Sequence, residues 1–465
     1  MSQTSIDRLR DYLAQLPPQS QALLMREYER SIARNEDVNV ANFVLDLLRT
    51  VVRGNVDAVR PRVEDPARLV FRSLEPFLVE GVAAVRPGQI RRASLQATWQ
   101  WLEREGAVEA VSEFEAAVAG KPEAGADVER AVRKFQQAAA DAILKVAGPA
   151  AGGDRNRGLA RVGAPHVVED LPGIGAVLKA REALDSLALK LPSQFRTFGE
   201  AQVASVNSAL NVPALVTPQL LPFALSLVMQ RLLAPWQIIR LAIKIAASDD
   251  EIRVAATSYG IAVTMAIHDL NRVAASLRSE IKRGKFDSVP DHLKTVHDGV
   301  RGLRTELDIR NDSTWGRQLA SIRVDISTTL QSEIDSVPGR VRRLLRQRPD
   351  KDITPTAQID PADVEETAAL IDFVAVCRTY ASELAINEVT LRTYSDLQQY
   401  VEKSTESLVQ SLRNGDAKVK AFRQMQARAA IRFCELLFGA EYAQLMSRAA
   451  DNAMVVVERK PKKAG

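Results

Sequence analysis

Thirty consecutive residues, Ala201 to Gln230, contain no Asp, Glu, Lys or Arg. Extending the window to Ile267 adds only Arg231, Arg240, Lys244, Asp249, Asp250, Glu251 and Arg253, seven charges in 67 residues, against 26% for the whole chain. Burying charge is costly and burying apolar surface is favourable, so this stretch is expected to form the core. Pro213, Pro218, Pro222 and Pro235, with Gln202, Asn207, Asn211 and Gln219, interrupt it. A membrane-spanning helix needs about 20 predominantly apolar residues, and these interruptions deny it one. The expected solution is a buried core under helical cover, with no transmembrane segment.

The flanks carry helical periodicity. Apolar residues make up 46% and aromatics only 5%, a balance that favours closely packed helices over a β-rich fold. At 465 residues the chain is too long for one simple core. The expected fold is all-α, made of multi-helix bundle domains with a long C-terminal antiparallel helical hairpin. The divisions read as an N-terminal helical domain over 1–147, a linker over 148–165, a central domain with the low-charge core over 166–348, a linker over 349–359, the hairpin over 360–457 and a basic disordered tail over 458–465.

The N-terminal region predicts three short helices. Their faces are Ile6, Leu9, Tyr12, Leu13 and Leu16; Leu23, Leu24, Tyr28 and Ile32; and Phe43, Val44, Leu47, Leu48 and Val51, with Gly54 as a C-cap. Further helices are expected near 69–79, 89–105 and 128–146. Ser248 and Glu251 have capping-box spacing, which predicts a helix from there towards Arg283. Helices follow over 291–307 and 313–348. Asp360 before Pro361 is an N-cap followed by proline at the first helical position. Thr390, Tyr394, Leu397, Val401, Ser404, Leu408 and Ser411 step by four and three, a coiled-coil seam with polar members. Val419, Phe422, Gln426, Ala429, Phe433 and Leu436 repeat that stepping beyond Asn414-Gly415. If 361–413 is one helix it is about 80 Å long. The alternative is a bundle with a break near 386–389. No strand pattern competes.

Charge and cysteine content narrow the setting. Sixty-two basic against 58 acidic residues is near balance, so a pI near 9.0 does not identify a nucleic-acid binder. Cys377 and Cys434 are far apart and lack CxxC or zinc spacing, so each reads as a small buried thiol. The opening MSQTSIDRLRDYLAQL has polar and acidic residues where a signal peptide needs an apolar run. The expected location is cytoplasmic.

Three motifs bear on chemistry. Arg340, Arg342, Arg343, Arg346 and Arg348 place five arginines in nine residues with no acid among them. Val341, Leu344 and Leu345 fall on one face, making a basic amphipathic helix end. It suits phosphate backbone, anionic lipid or an acidic partner. The plainer reading is cations complementing a helix C-terminus. Leu171-Pro172-Gly173-Ile174-Gly175 resembles the turn of helix-hairpin-helix DNA-binding motifs, whose glycines let backbone amides approach a phosphate. The alternative is a Pro-Gly turn between helices. Finally, His268-Asp269 and His297-Asp298 resemble the pairs of all-helical HD-type phosphohydrolases. That resemblance implies a divalent metal held by His268, His297, Asp298 and Asp325, activating water.

No Walker loop, GxSxG, HExxH or ExxH pattern occurs. The leading expectation is therefore a non-catalytic helical interaction or scaffold protein that self-associates through its C-terminal seams and needs no cofactor. A binder of anionic surfaces through Arg340–Arg348 and an HD-like metal phosphohydrolase are the alternatives.

Overall fold

The computed structural model describes residues 9, 12–13, 16–33, 40–48, 63–81, 85–148, 155–286, 288–354, 356–381, 386–414 and 419–458. The proposed Gly54 cap and the basic tail from residue 459 lie outside them. So do Ile6 and Val51 of the first and third helices. Among the described residues the fold is all-α apart from one pair of two-residue strands. The chain forms two compact units, one of residues 1–85 and 90–181, the other of 86–89 and 182–465.

In the first unit, α1 (Pro18–Ala33) packs through Leu24, Met25 and Tyr28 against a small core of Leu13, Val44 and Leu48. Asp65 then caps α2 (Pro66–Phe71), its carboxylate accepting from Arg68 N at 3.2 Å, with Pro66 at the first helical position. A 3-10 turn (Arg72–Phe77) leads to β1 (Leu78–Val79), which pairs in parallel with β2 (Ile90–Arg91). The continuous helices expected over 69–79 and 89–105 are therefore shorter. Pro76 carries no N–H for an α-helical bond, and Gly88 adopts φ +78°.

Helices α3 (Ala93–Trp101), α4 (Val108–Val118), α5 (Ala126–Ala147), α6 (Arg155–Val162) and α7 (Pro165–Lys179) complete this unit. Its aromatic centre has Trp99 edge-on to Phe71 and Phe135, with Phe114 stacked on Phe135 at 4.9 Å. The interior also holds the Arg91–Asp170 ion pair. One Asp170 oxygen accepts from Arg91 Nη1 at 2.8 Å, the other from Arg91 N at 3.0 Å and Ser94 Oγ at 2.7 Å.

Leu171–Gly175 is not a turn. It lies inside α7, and both turn readings are corrected. A Cβ on Gly175 would stand 2.8 Å from Ile143 Cγ2, so this glycine allows α7 to approach α5 closely. The expected 148–165 linker also contains a helix, α6.

The second unit contains the low-charge stretch, which is continuously buried over 221–229 but over 201–219 buries only Val203, Val206, Leu210 and Leu215. Its early helices are α8 (Arg181–Lys190), α9 (Glu200–Leu210), α10 (Leu221–Met229), α11 (Ile239–Ala246) and α12 (Glu251–Ala255). Every residue of α10 is buried, together with Leu220, Ile238, Ile239, Leu241 and Ala242. No helix among the described residues is long and apolar enough to cross a membrane.

The capping box at Ser248 is corrected by two residues. Asp250 is the N-cap, accepting from Arg253 N at 2.9 Å, while Ser248 Oγ accepts from Asp250 N. Glu251 turns to Arg310 N at 2.8 Å instead of capping its own helix. α12 then stops at Ala255, and a 3-10 turn at Ser258–Gly260 precedes α13 (Ile261–Lys282).

Helices α14 (Val289–Glu306), α15 (Thr314–Leu345), α16 (Pro361–Tyr380), α17 (Asn387–Asn414), α18 (Lys420–Phe438) and α19 (Ala440–Glu458) follow. α15 is the axis of this half. Ser313 caps it, and Leu319, Ile322, Ile326, Leu330, Ile334, Val337 and Val341 form its buried stripe at three- and four-residue steps. It packs against α13, α16, α17 and α18. Asp360 caps α16 by accepting from Ala362 N at 2.8 Å, as the sequence implies.

The single helix over 361–413 does not form, since α16 ends at Tyr380 and α17 starts at Asn387. α17 and α18 run antiparallel, with Tyr394 Oη donating to Leu437 O and Thr405 Oγ1 3.3 Å from Cys434 Sγ. They are no free-standing hairpin. α15, α16 and α19 pack around them, which covers the seam residues Thr390, Leu397, Val401 and Leu408.

Candidate anion-binding surface

The arginine-rich segment ends α15. Val341, Leu344 and Leu345 turn inward and are buried, so the amphipathic face expected from sequence is filled by the protein's own bundle. The four last carbonyls of a helix lack intrahelical donors. Here α18 supplies donors to one of them and to two carbonyls just beyond the helix. Gln426 Nε2 donates to Leu344 O and to Arg346 O, both at 3.1 Å. Arg423 donates to Arg348 O and pairs with Asp350 at 3.1 Å. Gln426 and Arg423 are themselves buried, and Gln426 Oε1 accepts from Arg423 Nη1 at 3.3 Å. The helix terminus is therefore fixed by side chains more than 70 residues away in sequence.

The arginines then divide. Arg340 is half-buried and paired with Glu366 of α16. Arg342 is exposed and lies over the Tyr400 ring at 5.7 Å. Arg343, Arg346 and Arg348 are exposed, and none of these four has an ion-pair partner among the described residues. α17 adds to this surface. Tyr400 and Ser407 face α15, Ser407 Oγ donating to Gln347 Oε1 at 3.1 Å. Lys403 shares that flank by helical spacing and is exposed. The acids Glu402 and Glu406 lie on the other side, where their charges raise the Tyr442 phenol's pKa beyond what burial does. The result is a bundle end that presents four exposed arginines and Lys403, with the nearby Asp350 already paired to Arg423. Sequence periodicity marks the arginines, but it does not reveal Gln426, Arg423 or Lys403 as their companions.

The HD-type residues are not brought together. His297 Nδ1 is 2.9 Å from Asp298 of its own helix, and its ring lies against Tyr380. Asp325 pairs with Arg278 at 3.3 Å. His292 shares Glu280 with Ser288, each at 2.8 Å, which fastens the turn between α13 and α14. His268 stands apart on α13. Its Nδ1 is buried without a partner, and burial, with the nearby Arg86 charge next, lowers its pKa. Among the described residues no three His, Cys, Asp or Glu side chains are grouped to hold a metal ion. Both cysteines are buried, and burial pushes each thiol's pKa upward, away from the reactive thiolate.

No known family model matches this chain, and neither the curated proteins nor the solved structures include a similar one.

Proposed function

We propose that this chain is a non-catalytic helical binding protein whose working surface is the end of α15, and that its partner is a polyanion met through phosphate groups. One observation carries the reading: four exposed arginines without acidic partners stand on a helix end already capped by Gln426 and Arg423. Neutralising the helix terminus does not require them. A lipid surface is less well served, because interfacial helices insert an apolar face and here Val341, Leu344 and Leu345 are buried. Self-association through the seams would need Leu397, Val401 and Leu408, which are covered within the chain.

Binding of a labelled duplex oligonucleotide, followed by fluorescence anisotropy across a salt series, tests this. Four phosphate contacts predict that log K falls with log salt at a slope of about −3.6. Changing Arg342, Arg343, Arg346 and Arg348 to Gln together should remove that slope. Binding that ignores salt, or that survives the fourfold change, defeats the reading. Retention on anionic vesicles but not on the duplex would transfer the surface to lipid.

A further inference from the structure

Three arginines are buried among the described residues: Arg86, Arg91 and Arg423. Arg91 has Asp170 at 2.8 Å, and Arg423 has Asp350 at 3.1 Å. Arg86 has no such partner. It is 6% exposed, and its Nη1 donates only to neutral oxygens, Ser226 Oγ at 3.0 Å and Pro87 O at 3.4 Å. Its Nε is buried with nothing to donate to.

The surroundings do not neutralise it. Among the described residues Asp269 is the one acid whose charge bears on Arg86, and Arg272 already holds that carboxylate at 3.2 Å. The charge of Arg272 also acts on Arg86, with the opposite sign. Close enough to feel the Arg86 charge is His268, whose Nδ1 is the second unpartnered buried nitrogen in this neighbourhood. Ser226 cannot supply an anion, being a neutral hydroxyl engaged with Gly88 O and Pro222 O at 2.9 Å. A desolvated guanidinium without a counter-charge is unfavourable, and so is each unmet buried donor. One negatively charged group with several acceptor oxygens would relieve both.

We propose that Arg86 and His268, with Arg272 at the solvent rim, form a site for a small phosphate-type oxyanion. Arg86 Nε and the imidazole would donate to it. Arg272, 61% exposed, would close the outer side and leave Asp269. This site is separate from the surface at the end of α15, and its residues come from residue 86 and from α13.

The experiment uses full-length protein already carrying Gln at 342, 343, 346 and 348, so that the arginine surface contributes nothing. Inorganic phosphate is the probe, with chloride of equal ionic strength as reference. About 10 mM phosphate should raise the melting temperature by about 3 °C or more. Arg86→Gln should abolish the rise. Asp269→Asn, which removes the competing carboxylate and frees Arg272, should enlarge it. The imidazole proton resonances of His268 should shift on titration. No rise, or an equal rise in the Arg86→Gln protein, overturns the proposal. So does an Asp269→Asn protein that melts lower and ignores phosphate, since Asp269 would then be the counter-ion of Arg86. If Arg86→Gln fails to fold, Asp269→Asn and the His268 resonances decide. A phosphate monoester binding more tightly than free phosphate under the same conditions would mark the site as one for phosphorylated ligands.

Discussion

Gln426→Leu separates the position of the arginine surface from its charge. Gln426 is buried, and its amide nitrogen serves two carbonyls, Leu344 O and Arg346 O, each at 3.1 Å. Leucine fills much of the same space and donates to neither. An acceptor left unmet in a buried place costs about 1–3 kcal/mol. Two such losses come to about 2–6 kcal/mol, and the gain in apolar burial returns about 1 kcal/mol. The net destabilisation of the α15 terminus is about 1–5 kcal/mol, or a change of about 5-fold to about 5000-fold in its opening equilibrium. Hydrogen exchange read by mass spectrometry on peptides spanning 338–348 measures that opening directly, without requiring the whole chain to unfold in one step. Exchange there should accelerate by that factor while peptides from α5 stay unchanged. Duplex affinity should fall, but the salt slope should persist because every arginine remains. A less than threefold change in exchange would refute the capping argument. Loss of the slope itself would refute the claim that charge and position are separable.

Two glycines of α15 should respond in opposite directions. A Cβ on Gly316 would stand 2.0 Å from Arg310 O, a backbone atom, so Gly316→Ala should lower stability by about 1–3 kcal/mol. A Cβ on Gly339 meets nothing within 4 Å, so Gly339→Ala should be neutral or stabilise by up to about 1 kcal/mol; urea melts of both variants test the pair. Asp170→Ala removes the buried carboxylate that pairs with the buried Arg91 guanidinium, and should cost about 3–5 kcal/mol, whereas Arg91→Met with Asp170→Leu should recover much of it in thermal melts. In phosphate-free buffer, His268 binds fewer protons folded than unfolded, because its folded pKa lies below the ordinary 6.5. Stability should therefore fall as pH drops below about 6.5, and His268→Gln should flatten that slope while leaving stability above pH 7 little changed.

Local signals were legible where neighbours along the chain act on one another. Asp360 before Pro361 starts α16, and Ser313 starts α15, because a capping oxygen reaches only two or three residues on. The same logic failed at Ser248. There Asp250 is equally able to cap, and Glu251 finds the amide of Arg310, 59 residues away. The seam at 390–411 was legible as a buried stripe, but its partner was not. Periodicity says that a face will be covered, and α15, α16, α18 and α19 compete to cover it. Leu171–Gly175 misled for a related reason. Proline and glycine favour a turn in isolation, whereas packing of Gly175 on Ile143 favours the helix.

By itself, the order of residues determined that the chain would be helical, that 201–230 would supply core and that five arginines would share one helix end. Those outcomes follow from propensity, hydrophobic pattern and spacing, which act within a few turns. Only the tertiary structure decided which arginines remain unpaired, that Gln426 and Arg423 fix their helix, and that Arg86 meets Ser226 across 140 residues of sequence. Such pairings depend on which distant groups lose water together, and a local pattern carries no record of that.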